Sequence, residues 1–318
     1  MTVFLSLLIS LVIILLIFVL LCFLGFRKTF AREKNMENAE ENFYKYLRDH
    51  KCIVLEEKIK NNKKNFDNID FKEVSVVSLD NYHLSGKLYL SEDKNSGKSV
   101  ILCHGFKSSG ETDFGIVFKM YRKMNYNILL IDQRAHGKSG GNYSSMGIME
   151  SYDIVTWCKW LEMCFGTGND IIIHGVDMGA FAAVAAGANP EMPQNVRAII
   201  ADSIYPLIYA VVSEKIRKSY SFLTKPVIAL INIFFKNHVG FDMRDFSLYA
   251  VAKSDKIPVL FIHSENDSVV PLFHVENIMK RIPVEPQMVT VRKAPHATCF
   301  AREENFCIDS VKNFIGEK

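Results

Sequence analysis

The sequence predicts an α/β fold, in which a mostly parallel, doubly wound sheet follows one N-terminal transmembrane helix. Three features support this prediction: an apolar run at the amino end, a series of short β-branched runs, and apolar helical stretches between those runs. Continuous β-branched runs without polar alternation are typical of parallel strands that helices cover on both faces. In such sheets functional groups collect at the carboxyl ends of the strands.

Composition limits the class of protein. The chain has 318 residues, of which 49% are hydrophobic and 23% charged, and a formal net charge of +3. This balance is typical of a packed globular protein. The 38 Lys and Arg against 35 Asp and Glu leave no basic excess that would indicate nucleic-acid binding. Seven scattered cysteines without a CxxC pair indicate reduced thiols in the cytosol. No His/Glu pair has metal-site spacing, so we expect neither a metal nor a cofactor.

The N-terminal apolar run covers residues 3–26 and contains no ionisable side chain. About 20 apolar residues are enough to cross a bilayer as a helix. A cleaved signal peptide, which stays the alternative, would carry positive charge before the run, and Met1-Thr2 offers none. Basic residues follow the run instead (Arg27, Lys28, Arg32 and Lys34). This asymmetry predicts a single-pass membrane protein with the rest of the chain in the cytoplasm.

The remainder divides into two parts. Residues 27–70 are charged and Asn-rich, which predicts a juxtamembrane helix and then a loop at the polar run 61–65. Residues 71–318 form the predicted α/β domain. Its segment 205–250 has apolar helical stretches but no clear strand, so we expect a helical lid over the active-site end. Extra helices packed beside the sheet are the alternative.

Within that domain, strands and helices alternate. The predicted strands lie at 74–77, 84–90, 100–102, 128–131, 171–173, 198–200, 259–262 and 288–291. The predicted helices lie at 114–124, 148–165, 179–188, 273–281 and 303–315.

Five segments place polar residues and glycines directly after predicted strands. His104-Gly105-Phe106 follows the strand at 100–102, and Asp132 to Gly140 follows the next. Gly175-Val176-Asp177-Met178-Gly179 is a Gly-x-x-x-Gly turn between a strand and a helix. Its glycines fit a sharp turn that holds the central side chain above the sheet. The last two segments are 263–271 and 294–297, which contain Asp267 and His296.

In this order the five segments resemble the α/β-hydrolase family, and more narrowly its bacterial serine aminopeptidase-like and lysophospholipase-like esterases. The resemblance covers about residues 71–315 and implies an α/β-hydrolase fold that takes a small-molecule or lipid-like substrate. It implies that Asp177 occupies the nucleophile position, that His296 is the catalytic histidine and that Asp267 orients it. The backbone N–H groups of Phe106 and Met178 would form the oxyanion hole.

Other residues of these segments receive supporting or alternative roles. The resemblance implies that His104, Gly105, Gly175 and Gly179 support the elbow and its neighbouring loop. We expect His104, His136 and His174 to brace loops through hydrogen bonds. Asp202, directly after a strand, is an alternative to Asp267 as the orienting acid.

Asp177 departs from the resembled branch, which has serine at this position. A carboxylate is already ionised, and together with Asp267 it should raise the pKa of His296 and deprive it of its role as base. Our first hypothesis is therefore a hydrolase of carboxylic esters or related acyl substrates with altered or reduced activity. A non-catalytic relative that binds a ligand or partner is the second hypothesis.

The third hypothesis is an alkyl hydrolase of the epoxide or haloalkane type, in which an elbow Asp attacks an sp³ carbon. Met178 stands where those enzymes usually have Trp. The candidates for a ring-opening tyrosine are Tyr205, Tyr209, Tyr220 and Tyr249.

Overall fold

The computed structural model describes residues 2–317, without the side chains of residues 219–221. Within these residues one eight-stranded sheet is formed by β1 (Lys72–Val77), β2 (His83–Tyr89), β3 (Lys98–Cys103), β4 (Asn127–Ile131), β5 (Asp170–Val176), β6 (Val196–Asp202), β7 (Val259–Ser264) and β8 (Gln287–Val291). The strand order is β1-β2-β4-β3-β5-β6-β7-β8. Only β2 runs antiparallel to its neighbours in this sheet of described residues, while β3 to β8 are mutually parallel. The predicted mostly parallel α/β fold is confirmed.

The described residues also form twelve α-helices, which alternate with the strands from β3 onward. They are α1 (Thr2–Phe30), α2 (Met36–Asp49), α3 (Ile53–Lys63), α4 (Gly110–Lys123), α5 (Ile148–Phe165), α6 (Met178–Gly187), α7 (Ile208–Tyr220), α8 (Thr224–Val239), α9 (Leu248–Val251), α10 (Phe273–Met279), α11 (Cys299–Arg302) and α12 (Glu304–Ile315).

Two hydrophobic cores lie on opposite faces of the sheet. One core contains buried residues of α5, α6 and α8, and the other contains buried residues of α3, α4 and α12. Every residue of β4 and β7 is buried because helices cover both faces. This double cover explains why the strands appear in the sequence as continuous apolar runs.

Residues 27–70 differ from the prediction in two ways. They form two helices, because Lys51 adopts a left-handed φ of 58° between α2 and α3. The loop predicted at 61–65 is wrong, since α3 continues to Lys63 and a 3₁₀ turn follows. Tertiary packing explains the helix: α3 approaches α4 so closely that a Cβ on Gly115 would lie 2.5 Å from the carbonyl oxygen of Asn62. Asn65 also donates to the carbonyl of Gly115 at 2.8 Å.

Helix α1 extends away from the domain, and most of its apolar side chains are exposed. Among the described residues it is the one helix long and apolar enough to cross a membrane, a test that signal sequences also pass. Its last turns are different, because Cys22, Phe26 and Phe30 are buried against the domain. The ring of Phe30 lies 4.9 Å from that of Phe235 in α8. The end of the apolar run is thus packed against a helix of the 205–250 insertion.

The insertion between β6 and β7 contains α7, α8 and α9. The segment is helical, as predicted from its apolar stretches. Its two ends meet at an isolated antiparallel bridge between Leu207 and Ser247.

Candidate active site

A strained turn between β5 and α6 holds Asp177 at the carboxyl edge of the sheet. Asp177 has φ 52° and ψ −111°, a backbone conformation that side-chain-bearing residues rarely adopt. Glycines on both sides permit it. A Cβ on Gly175 would lie 2.3 Å from the backbone of Gly179, and one on Gly179 would lie 1.9 Å from the carbonyl oxygen of Cys103. The local sequence therefore projects the Asp177 carboxylate above the sheet.

Asp177, His296 and Asp267 lie within hydrogen-bond distance of one another in a chain. His296 Nε2 is 3.1 Å from Asp177 Oδ1, and His296 Nδ1 is 2.6 Å from Asp267 Oδ2. The second oxygen of Asp267 accepts the backbone N–H groups of Val269 and Val270 at 2.7 and 2.8 Å. These bonds fix the carboxylate so that it faces the imidazole. Asp202, the alternative acid, instead accepts a hydrogen bond from Ser203 Oγ at 2.8 Å.

The two carboxylates change the protonation of the histidine between them. Burial disfavours the charged imidazole, but the charges of Asp267 and Asp177 and the hydrogen bonds to them outweigh this and raise the pKa of His296 well above its usual range. Burial likewise opposes the charge on Asp267, yet the His296 charge lowers the pKa of that carboxyl. The two carboxyl groups therefore favour the imidazolium form of the histidine that lies between them.

The loop after β3 contacts the same carboxylate. The N–H of Phe106 donates to Asp177 Oδ2 at 2.9 Å. The N–H of Gly105 donates to half-buried Asp113 at 2.7 Å, and a Cβ on Gly105 would lie only 3.3 Å from the Asp177 Cβ. Met178 begins α6 directly after Asp177. The amide expected to hold a substrate oxygen is thus occupied by the carboxylate of the protein itself.

Three further histidines were predicted to brace loops; His104 and His136 bond to loop residues, whereas His174 lies within β5 and contacts a helix. His104 accepts the N–H of Gln133 at 3.1 Å, and His136 accepts the N–H of Lys107 at 3.0 Å. His174 lies 3.2 Å from the hydroxyl of Tyr121. Burial lowers the pKa of His136 and of His174 to about 3, so both are neutral at physiological pH.

Tyr46 on α2 contacts the histidine loop, which the sequence did not reveal. Its hydroxyl accepts the backbone N–H of His296 at 3.1 Å and lies 3.3 Å from Ser268 Oγ. Its ring lies tilted at 51° against that of His50, with 4.2 Å between ring centroids. The amphipathic pattern predicted only that α2 is helical, because a contact across 250 residues leaves no local signal.

Ser203 is a second contact that the sequence did not reveal. Its hydroxyl accepts the N–H of Ala297, next to His296, at 3.1 Å. The same hydroxyl donates to Asp202, whose pKa burial raises to about 7.

The segment after α1 reaches the other side of the site. Lys107, next to Phe106, donates through Nζ to the carbonyl of Lys28 at 2.7 Å. The guanidinium of Arg32 donates to the carbonyl oxygens of Gly137 and Ser139 at 2.5 Å. The chain end of the apolar helix is therefore tied to the loops that surround Asp177.

Two of the tyrosines considered as ring-opening residues bond to groups outside the site. The Tyr205 hydroxyl donates a hydrogen bond to the carbonyl of Met146 at 2.9 Å. The Tyr249 hydroxyl lies 2.9 Å from His274 Nδ1. The Tyr220 side chain lies outside the described residues. Within residues 2–317 no group of three or more His, Cys, Asp and Glu could hold a metal ion.

The chain has the α/β-hydrolase fold. Residues 98–251 match the family model described as the alpha/beta hydrolase fold. Esterase Pf2001 of Pyrococcus furiosus is similar over 78% of this chain and 92% of its own, with 25% identity and a TM-score of 0.62.

Relatives found by sequence agree with this class. The uncharacterized protein YqkD of Bacillus subtilis is 24% identical over 79% of this chain and 81% of its own length. Protein bem46 of Schizosaccharomyces pombe is 22% identical over 64% of this chain and 63% of its own. The fold and these neighbours are consistent with an esterase-like hydrolase.

Proposed function

We propose that this protein is a membrane-anchored hydrolase that acts slowly on carboxylic esters or related acyl substrates. Asp177, His296 and Asp267 are its reacting groups, and the Phe106 and Met178 amides form its oxyanion hole. The observation that carries the proposal is the hydrogen-bonded chain from Asp177 Oδ1 through His296 to Asp267. The similarity to an esterase over most of the chain supports the same class of substrate.

The charge state of the cluster determines how an ester would be cleaved. Imidazolium His296 is an acid, so Asp177 is the base next to the substrate. A water molecule attacks the acyl carbon and gives its proton to Asp177, while His296 Nε2–H protonates the departing alkoxide. The proton on Asp177 then returns to His296, leaving a carboxylic acid and an alcohol.

Low activity follows from two features of this route. No hydroxyl stands at the elbow to form an acyl-enzyme, and the Phe106 N–H must leave Asp177 Oδ2 before it can bind the developing oxyanion. A preorganised oxyanion donor is typically worth about 10²–10³ in rate. An oxyanion donor that is already bonded to Asp177 loses part of this rate enhancement.

The direct test measures hydrolysis of short-chain p-nitrophenyl esters by the purified full-length protein in detergent. We expect slow turnover that Asp177→Asn and His296→Gln each abolish, with folding checked by circular dichroism. Activity that survives both substitutions would reject the assigned roles. A well-folded protein without any turnover would favour the non-catalytic relative.

A second candidate, attack of Asp177 on an sp³ carbon, is favoured by one contact. Asp177 Oδ2 accepts the Phe106 N–H, so the attacking oxygen is Oδ1, which must first release its contact with His296 Nε2 at 3.1 Å. Oδ1 forms the new C–O bond as the halide or epoxide oxygen departs with the electron pair, and the epoxide oxygen takes the His296 proton. Esterified Asp177 carries no charge, so the His296 pKa falls and the histidine can activate water. That water attacks Cγ, and the alcohol leaves with Asp177 restored.

The two routes differ in where solvent oxygen goes. In a single turnover in ¹⁸O-water, sp³ attack places ¹⁸O in the Asp177 carboxylate, whereas ester hydrolysis through a free water does not. Mass spectrometry of the peptide that contains Asp177 measures whether ¹⁸O has been incorporated. His296→Gln should also accumulate an alkyl adduct on Asp177 if the second candidate is correct. Absence of both signals with an epoxide and a haloalkane would reject it.

Membrane anchoring belongs to the same proposal. Helix α1 crosses the bilayer once, and the positive residues after its apolar run keep the α/β domain on the cytoplasmic side. The seven cysteines are all free thiols, which is consistent with that compartment.

A further inference from the structure

An exposed apolar stripe runs along helix α8. It consists of Phe222, just before the helix, and of Pro226, Ala229 and Ile233, and is called the cap stripe below. Phe222 is 86% exposed and Ile233 is 52% exposed. The spacing of three and four residues places Pro226, Ala229 and Ile233 on one face of the helix, and Phe222 lies in the 3₁₀ turn that precedes it. Such a face is unusual on a surface that meets only water.

The cap stripe continues the apolar surface of α1. Leu230 and Phe234, on the neighbouring face of α8, are partly buried. The ring of Phe234 lies 5.2 Å from that of Phe23, and the ring of His238 lies 5.1 Å from that of Phe26. The stripe thus borders directly on the helix that carries the long apolar run.

The position of the α1–α8 contact along α1 determines how deep that contact lies in a bilayer that α1 spans. A helix rises about 1.5 Å per residue, so Phe23 lies about 30 Å beyond Val3, the thickness of the hydrocarbon core. When α1 spans the bilayer, the α1–α8 contact lies at the boundary between acyl chains and headgroups. The carboxyl-terminal part of α8, which carries Phe234 and His238, is then held at that boundary.

Basic residues border the cap stripe on the side away from α1. Lys225 and Lys236 of α8 are exposed and lie on this side of the helix. An apolar face bordered by lysines is the pattern of helices that lie in the interface of anionic membranes.

We propose that the cap stripe is embedded in the headgroup–acyl boundary of the bilayer that α1 enters, with these lysines on anionic headgroups. This inference rests on the proposed membrane anchoring. It assigns α8 a second membrane contact and fixes the orientation of the α/β domain relative to the membrane.

The test uses tryptophan quenching by lipid in the full-length protein. Ile233→Trp is reconstituted into phosphatidylcholine–phosphatidylglycerol vesicles that contain a lipid spin-labelled near the headgroup. The matched control is Met163→Trp, because Met163 is 74% exposed near the end of α5, at the opposite edge of the sheet from the site. Signal from the native Trp157 and Trp160 is subtracted with the parent protein. We expect Ile233→Trp to be quenched at least about twofold more than the control.

Vesicle flotation is measured on the same samples. Protein that floats with the vesicles but shows equal quenching at both positions would overturn the cap stripe contact and leave the anchor intact. Protein that does not float would overturn the anchor, and the inference with it. A Lys225→Glu/Lys236→Glu variant should reduce the quenching of Ile233→Trp, and unchanged quenching would reject the role of the lysines.

Discussion

At the scale of single residues, the site is governed by the second negative charge next to His296. Asp267 alone would orient a neutral imidazole, with its Nδ1 as donor and its Nε2 free to accept a proton. Asp177 adds a carboxylate 3.1 Å from Nε2, and the histidine becomes a cation between two anions. A carboxylate at position 177 therefore favours the charged form of His296.

Asp177→Ser tests whether the rest of the site supports serine chemistry. The substitution removes the competing charge, returns His296 to the role of base and frees the Phe106 amide for a substrate oxygen. We expect hydrolysis of a short acyl ester to rise at least about 10²-fold, together with covalent labelling by a fluorophosphonate. Asp177→Asn, which also removes the charge but offers no hydroxyl, should gain neither. A folded Asp177→Ser protein that is neither active nor labelled would contradict the proposed oxyanion hole and base.

The protonation of His296 can be measured directly. Its raised folded-state pKa means that its ion pairs stabilise the fold fully below about pH 6.5, the ordinary histidine pKa, and that this stabilisation is lost as pH rises through the folded value. We expect Asp177→Asn to lower the His296 pKa and to flatten the alkaline fall in the free energy of unfolding. NMR titration of the imidazole measures the His296 pKa, and chemical denaturation at several pH values measures the free energy of unfolding. An unchanged pKa would mean that Asp177 does not act on the histidine.

At the scale of helices, α2 is part of the site rather than a spacer. Tyr46 joins it to the His296 backbone, and Lys28 and Arg32 join the end of α1 to the loops on the other side. The histidine loop is therefore held by an element that precedes the α/β domain in the chain.

Tyr46→Phe separates positioning of His296 from general stability. The variant keeps the ring but loses the hydroxyl, which should cost about 1 kcal/mol in unfolding free energy. It should also lower the His296 pKa, because a looser loop weakens the bond to Asp267. Tyr44→Phe is the matched control, since its hydroxyl bonds to Glu40 on the same helix and not to the site. Equal His296 titration in both variants would leave Tyr46 a purely structural residue.

The contact between α1 and α8 predicts a stability effect from within the apolar helix. Phe30 is fully buried against Phe235, whereas Leu24 on the other face of α1 is 50% exposed. Phe30→Ala should cost about 3 kcal/mol and Leu24→Ala almost nothing, as measured by denaturation of the full-length protein in detergent. Equal effects would show that the end of α1 does not pack on the domain.

At the scale of the whole molecule, the orientation in the membrane can be tested with terminal tags. The basic residues after the apolar run predict that a C-terminal tag stays protected from protease in intact cells after removal of outer layers. It should be digested once the membrane is permeabilised, which is the control for protease access. Digestion in intact cells would reject the cytoplasmic position.

The sequence by itself determined the elements of this protein and their order. Strands that are buried on both faces of the sheet appear in the sequence as unbroken apolar runs, so β3 to β7 were predictable. The elbow was predictable too, because Gly175 and Gly179 record locally the lack of room for a side chain. Asp177, Asp267 and His296 were singled out by their positions after strands, and their catalytic roles stay predictions.

Tertiary structure decided what depends on surfaces meeting across long stretches of chain. The polar run at 61–65 is helical because α3 packs against α4 at Gly115. Tyr46 meets His296, and Phe26 and Phe30 meet α8, only when the sheet brings distant segments together. The contact of the Phe106 amide with Asp177 likewise depends on two loops of adjacent strands. Periodicity and turn residues record the local environment of a segment, whereas such contacts depend on the arrangement of all the elements at once.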